Sequence, residues 1–167
     1  MDVGLIGFAG AGKDTAALAL TKRNWVRVAF ADRLKDLAIN FGWNGQKDDR
    51  GRKLLQDLGM AARAYNDQFW INSAAAKIRQ MESWWKVKPK CVWTDIRFEN
   101  EAEFVRNRGG IIIRIVKQNS NQSDFHESEL NQLDIVADYL VVNSGTIEEL
   151  HSKISNIIKN HECNVIS

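Results

Sequence analysis

Gly7-Phe8-Ala9-Gly10-Ala11-Gly12-Lys13-Asp14-Thr15 is the stretch that decides the fold of this chain. Ahead of it, residues 3–8 form a short apolar run that reads as a buried strand. Behind it, residues 14–23 carry Ala16, Ala17, Leu18, Ala19 and Leu20, which are good helix formers. A strand, a glycine-rich turn and a helix in that order make a cradle for a phosphate group. Backbone N–H groups point inward, and the helix N-terminus adds partial positive charge. Gly7, Gly10 and Gly12 let the chain wrap an anion without Cβ clashes, and Lys13 brings a mobile point charge. The general pattern is G-x-x-x-x-G-K followed by Ser or Thr. Here Asp14 takes the hydroxyl position and Thr15 comes one residue late. The acid has two readings: an oxygen ligand for a divalent cation such as Mg²⁺, or a cap on the helix.

Outward from this loop, short apolar runs alternate with longer helical patterns. Residues 25–30, 90–94, 111–116 and 139–142 read as strands, and Ile111–Val116 is so β-branched that it must be central. Residues 31–41, 50–65, 67–85, 99–108 and 146–160 read as helices, with a shorter one over 126–133. Turn-rich or polar breaks fall at 42–49, 118–124 and 143–145. The pattern predicts an α/β fold, a largely parallel sheet with helices on both faces, and one domain over residues 1–167. Ligands of such sheets bind beyond the carboxyl ends of the strands.

Composition narrows the partners. The 167 residues are 44% hydrophobic and 26% charged, with a net charge of only +2. That is too little to make a nucleic acid or a membrane the main partner, so stable nucleic-acid binding is not expected and any electropositive site must be local. Cys91 and Cys163 form neither a disulfide framework nor a metal cluster and read as reduced thiols. No basic leader with a cleavage site and no bilayer-length apolar run is visible, which points to the cytoplasm.

Five further segments carry chemistry. They are Phe30-Ala31-Asp32-Arg33-Leu34-Lys35, Arg52-Lys53-Leu54-Leu55-Gln56-Asp57-Leu58-Gly59, Thr94-Asp95-Ile96-Arg97 with Asn100-Glu101, Asp124-Phe125-His126-Glu127-Ser128-Glu129, and Val142-Asn143-Ser144-Gly145-Thr146 with Glu148-Glu149-Leu150. In this order, from the G-x-G-K-D-T loop to the last of them, the chain resembles the bacteriophage deoxynucleoside monophosphate kinases. It lacks a sizeable insertion that some members carry before the Arg52 helix.

The resemblance implies a P-loop kinase fold with a five-stranded parallel core, a substrate-binding helical part and a mobile lid. It implies transfer of the ATP γ-phosphoryl, with Mg²⁺, to a deoxynucleoside monophosphate, and a host-cell cytoplasmic setting for a phage-encoded chain. Gly10, Ala11, Gly12, Lys13, Asp14 and Thr15 would then hold the ATP phosphates, and Asn143 and Gly145 would lie against the adenine, mostly through backbone. Asp95, at a strand's carboxyl end, would hold Mg²⁺ together with Asp14, or orient Arg97. Lys35, Arg52 and Arg97 are the cations for the acceptor and the transferring group, since an arginine fork binds phosphate oxygens in pairs. Glu101 lies i+4 from Arg97 and could hold it; Gln56, i+4 from Arg52, could offer an amide to the base or sugar beside Gly59. Trp70 matches an aromatic position that would stack on the base. His126 and Glu129 are the lid candidates, and without further His or Cys nearby they make no zinc site. Thr146 with Glu149 also reads as a capping box. Trp84-Trp85 is a candidate exposed patch for a homodimer contact.

Two other activities compete. A P-loop kinase of another phosphorylated metabolite, of the phosphomevalonate or dephospho-coenzyme A type, would use similar cations. A nucleic-acid-linked P-loop ATPase would carry Asp-Glu at the strand end, where this chain has Asp95-Ile96.

Overall fold

The computed structural model describes residues 1–117 and 131–165. These fall into two compact units: Met1–Arg27 with Lys90–Ser167, and Val28–Pro89.

The first unit is built on the sheet. Strands β1 (Val3–Ile6), β2 (Val26–Val28), β3 (Cys91–Trp93), β4 (Ile111–Lys117) and β5 (Tyr139–Asn143) lie in the order β2-β3-β1-β4-β5. All run parallel, with Val3 opposite both Val92 and Ile111, and Ile113 opposite Tyr139. Period-two alternation divides the side chains between faces. Val3, Leu5, Val92, Ile111, Ile113, Ile115 and Val141 pack on α1 (Lys13–Thr21) and on the helix Ile147–Val165, which contribute Ala16, Ala17, Leu20, Leu150, Ile154 and Ile158.

On the other face, Gly4 faces Ile96 and Val105 of the segment that ends in α5 (Glu99–Asn107). A Cβ on Gly4 would overlap Ile96 Cδ1 and come within 2.6 Å of Ile112 Cδ1. The glycine is what lets this layer sit close to the sheet. Because α1 leaves β1 toward one face and α5 leaves β3 toward the other, the two loops diverge at the strands' carboxyl ends and open a crevice. At the opposite end of the sheet, buried Asp2 accepts hydrogen bonds from Cys91 N (3.2 Å), Trp93 Nε1 (3.2 Å) and Arg108 Nε (2.7 Å).

The second unit is helical: α2 (Ala31–Asn40), α3 (Asp49–Tyr65) and α4 (Phe69–Trp85) pack on one another. Asp48 caps α3, its Oδ1 accepting from Gly51 N at 2.7 Å. Trp70 Nε1 donates to Gly59 O at 3.2 Å and so ties α4 to α3.

Strands and helices lie where the sequence pattern places them, with two differences. The second strand covers only Val26–Val28, because Trp25 N still bonds to Leu20 O at the exit of α1 and Phe30 already has helical φ/ψ as the N-cap of α2. Of the short helix expected over 126–133, Asn131–Leu133 forms a 3₁₀ turn; its earlier part, with lid candidates His126 and Glu129, lies outside the described residues. The last helix of the chain, Ile147–Val165, is α6. No helix among the described residues is long and apolar enough to cross a membrane.

Candidate active site

The glycine loop connects β1 to α1 and is held from three directions. Gly7, Gly10 and Gly12 have φ of 142°, 75° and 102°, a region that L side chains rarely adopt. At Gly7 a Cβ would also strike the carbonyl oxygen of Ile115 on β4. Within the loop Ala11 N bonds to Phe8 O (3.1 Å), and Ala16 N bonds to Gly12 O (2.8 Å) as α1 begins. From β5, Asn143 Nδ2 donates to Ala11 O at 2.9 Å. The Asn143 amide packs so closely under Gly12 that a Cβ there would sit 2.6 Å from it. From α6, His151 Nε2 lies 2.8 Å from Thr15 O. Lys13 Nζ donates to Gly7 O (2.5 Å) and Phe8 O (2.9 Å), which keeps the ammonium over the loop.

Asp14 does not cap the helix: Gly12 occupies the N-cap and Asp14 lies in the first turn. Its side chain is 86% exposed, with Arg27 Nε 4.0 Å away. There the carboxylate is favoured by the helix dipole, a structural role that needs no metal.

Asp95 and Arg97 follow β3. Together with Gly7, Lys13, Ile96 and Gln132 they line one small cleft of about 40 Å³ at the carboxyl ends of β1 and β3. The geometry of Arg97 is set by Glu101. Arg97 precedes α5, so the pair is not a side-chain pair on one helical turn. Instead Glu101 Oε2 accepts from the backbone N–H of Arg97 (2.8 Å) and of Phe98 (3.3 Å), satisfying two donors at the helix start. Glu101 is buried, lies outside the cleft lining and commits its carboxylate to these two N–H groups, which makes it a positioning residue.

Two groups here were not legible in the sequence pattern. Gln132 Oε1 accepts from Gly7 N at 2.7 Å, and the residue is 3% exposed. Arg114, the single charge within the Ile111–Val116 run, donates through Nη2 to the carbonyls of Gln132 (3.0 Å), Leu133 (3.4 Å) and Ile135 (2.6 Å). Burial lowers the Arg114 guanidinium from its ordinary value, though arginine stays charged. A lone cation in a central strand has to find carbonyls, and that was the available signal. Gln132 lies in a polar stretch of the sequence and carries none.

Lys35, Arg52, Gln56, Gly59 and Trp70 all belong to the helical unit. Arg52 is exposed and its Nε donates to Lys47 O at 2.9 Å; Gln56 follows one turn later on α3. Trp70 is 3% exposed and in edge-to-face contact with Phe69, so its ring serves packing and offers no open face for a base. Thr146 and Glu149 form the expected capping box, Thr146 N to Glu149 Oε2 at 3.1 Å and Glu149 N to Thr146 Oγ1 at 3.2 Å. At this end the Asn143 side chain is a strut for the loop, which leaves its backbone for the expected adenine contact.

A lysine-bearing glycine cradle at a helix N-terminus, with an acid and an arginine across the crevice of a parallel sheet, defines a P-loop kinase. Shikimate kinase from Aquifex aeolicus has a similar fold, with a TM-score of 0.53 over 100% of this chain and 99% of that one at 16% identity. The family model for deoxynucleotide monophosphate kinase matches residues 50–154. A protein of Acanthamoeba polyphaga mimivirus, provisionally described as a deoxynucleotide monophosphate kinase, is 32% identical over 95% of this chain and 96% of its own length. The deoxynucleotide monophosphate kinases of Escherichia phage RB69 and Enterobacteria phage T4 are 28% and 26% identical over 65% of this chain. Those matches span 44% and 45% of the phage proteins. The chain belongs to the deoxynucleotide monophosphate kinase family.

Proposed function

We propose that the protein transfers the γ-phosphoryl of ATP to a deoxynucleoside monophosphate, giving the diphosphate and ADP. The observation that carries this is the shared cleft of Lys13, Asp95 and Arg97 at the mouth of the glycine loop. Phosphoryl transfer asks a protein mainly to align two anions and neutralise their charge. In this reading residues 10–15 hold the ATP phosphates, through the loop N–H groups other than that of Ala11, which is bonded to Phe8 O, and Lys13 leaves its two carbonyls to follow the γ-phosphoryl. Arg97, held at its backbone by Glu101, clamps the transferring group. Lys35, Arg52 and Gln56 take the acceptor nucleotide, and the backbone at Asn143 and Gly145 lies along the adenine.

Mg²⁺ fits the donor set: Asp95 is a half-buried carboxylate beside Lys13, and Asp14 a second, exposed one. Bound there with phosphate oxygens, the ion would supply charge neutralisation; it needs only one or two protein carboxylates. The reading also carries a cytoplasmic setting, no stable nucleic-acid complex, and a homodimer. Trp84, Trp85 and Val87, exposed at the end of α4, are the surface such a dimer would cover.

Incubation with ATP, Mg²⁺ and each of the four common monophosphates, deoxy and ribo, tests this by chromatography of the products. At least one deoxynucleoside diphosphate is expected. None from any acceptor would refute it.

A further inference from the structure

We infer that Gln132 is a further residue of the transfer site: its side-chain oxygen fixes Gly7, and its amide nitrogen donates to the phosphoryl group in flight. The inference rests on the kinase reading above and adds a residue to it.

Gly7 N is buried and would be costly to leave without an acceptor. Gln132 Oε1 meets it at 2.7 Å across 125 residues of chain. An acceptor alone could be a hydroxyl or a carboxylate. A carboxamide with its oxygen committed presents two donors on the nitrogen. Gln132 Nε2 makes no hydrogen bond among the described residues, nor is it among the fully enclosed side-chain atoms that lack one. The side chain lines the cleft with Lys13, Asp95 and Arg97. A neutral donor there adds to the cations without adding a charge that repels the approach of Arg97.

The amide is held rigidly enough for this task. Arg114 holds the backbone at Gln132 and just after it through the Gln132 and Ile135 carbonyls, and Arg114 itself lies in register with Ile6, the residue before Gly7. The circuit Gly7–Gln132–Arg114–Ile6 is closed, so a donor on Gln132 is preorganised relative to the loop. In the step itself an oxygen of the acceptor phosphate bonds to the γ-phosphorus while the bond from that phosphorus to the β–γ bridging oxygen breaks. The electron pair of the broken bond stays on ADP. Gln132 lends a hydrogen bond to an equatorial oxygen and gives up no proton.

Gln132→Glu keeps the acceptor for Gly7 and removes the neutral donor. Its melting temperature should match wild type, and its kcat should fall about 100-fold. Affinity for a non-hydrolysable ATP analogue should change less than tenfold. Wild-type kcat in the variant, or a loss wholly accounted for by analogue affinity, would overturn the inference. The slow hydrolysis of ATP without acceptor separates the two claims. Should wild type phosphorylate no deoxynucleotide, the kinase reading fails, and Gln132 is judged by whether hydrolysis falls in the variant. A measurement needing no variant backs this up: the Gln132 side-chain amide resonance of the wild type, titrated with ADP and aluminium fluoride. A shifted, exchange-protected amide supports the assignment, and an unmoved one overturns it.

Discussion

Asn143→Ala removes the strut between β5 and the glycine loop while leaving every cation of the site in place. The lost bond is Asn143 Nδ2 to Ala11 O, 2.9 Å, and Ala11 is 3% exposed, so water cannot replace the donor without the loop opening. Leaving a buried acceptor unsatisfied costs about 1–3 kcal/mol. If that cost falls on the ordered loop, ATP affinity drops by about 5- to 150-fold, at 1.4 kcal/mol per decade. If it falls on the whole fold, the melting temperature drops by about 2–4 °C per kcal/mol for a chain of this size. Titration calorimetry with ATP and a thermal melt on the same sample divide the cost between the two. Gly12→Ala provides the second arm of a cycle, because its Cβ would sit 2.6 Å from the same amide nitrogen at a φ of 102°. The two substitutions spoil one contact, so the double variant should lose less than the sum, with a coupling of about 0.5–3 kcal/mol. Unchanged affinity and melting temperature in Asn143→Ala, or strict additivity in the cycle, would refute the strut.

Lys13→Met should lower kcat by at least about 10²-fold with the melting temperature unchanged, since the Lys13 ammonium rests on loop carbonyls here and its charge acts on phosphates; steady-state turnover beside a thermal melt checks this. Arg97→Ala should reduce kcat/KM for the acceptor by about 10²-fold and leave ATP affinity alone, which an initial-rate matrix in both substrates resolves. Glu101→Gln should keep the fold but loosen the approach to α5, costing about 1 kcal/mol in denaturant unfolding and weakening transfer through Arg97. Gly4→Ala should cost about 1–3 kcal/mol in the same assay, because its Cβ overlaps Ile96 and Ile112.

The elements that carry the site were legible because they follow local rules. Gly7 to Lys13 sits between an apolar run and a helix former run, and Asp95 ends a short apolar strand; both observations depend on neighbours in sequence. The β-branched Ile111–Val116 run marked a central strand, and β4 indeed lies between β1 and β5. What escaped depends on residues far apart in the chain. Asn143 reaches Ala11 across 132 residues and Gln132 reaches Gly7 across 125, and no spacing encodes such meetings. Trp70 illustrates the converse: an aromatic at a promising position is buried, because α3 offers the Gly59 carbonyl to its indole N–H. Asp14 was ambiguous because capping and metal binding ask for the same oxygen near a helix start; the left-handed Gly12 at the N-cap removed the capping role.

Transfer of label from [γ-³²P]ATP tests the phosphotransferase activity most directly. With Mg²⁺ and a deoxynucleoside monophosphate, label should appear in the deoxynucleoside diphosphate, and should be lost from that product in Lys13→Met. Label appearing only as inorganic phosphate, whatever acceptor is supplied, would contradict it.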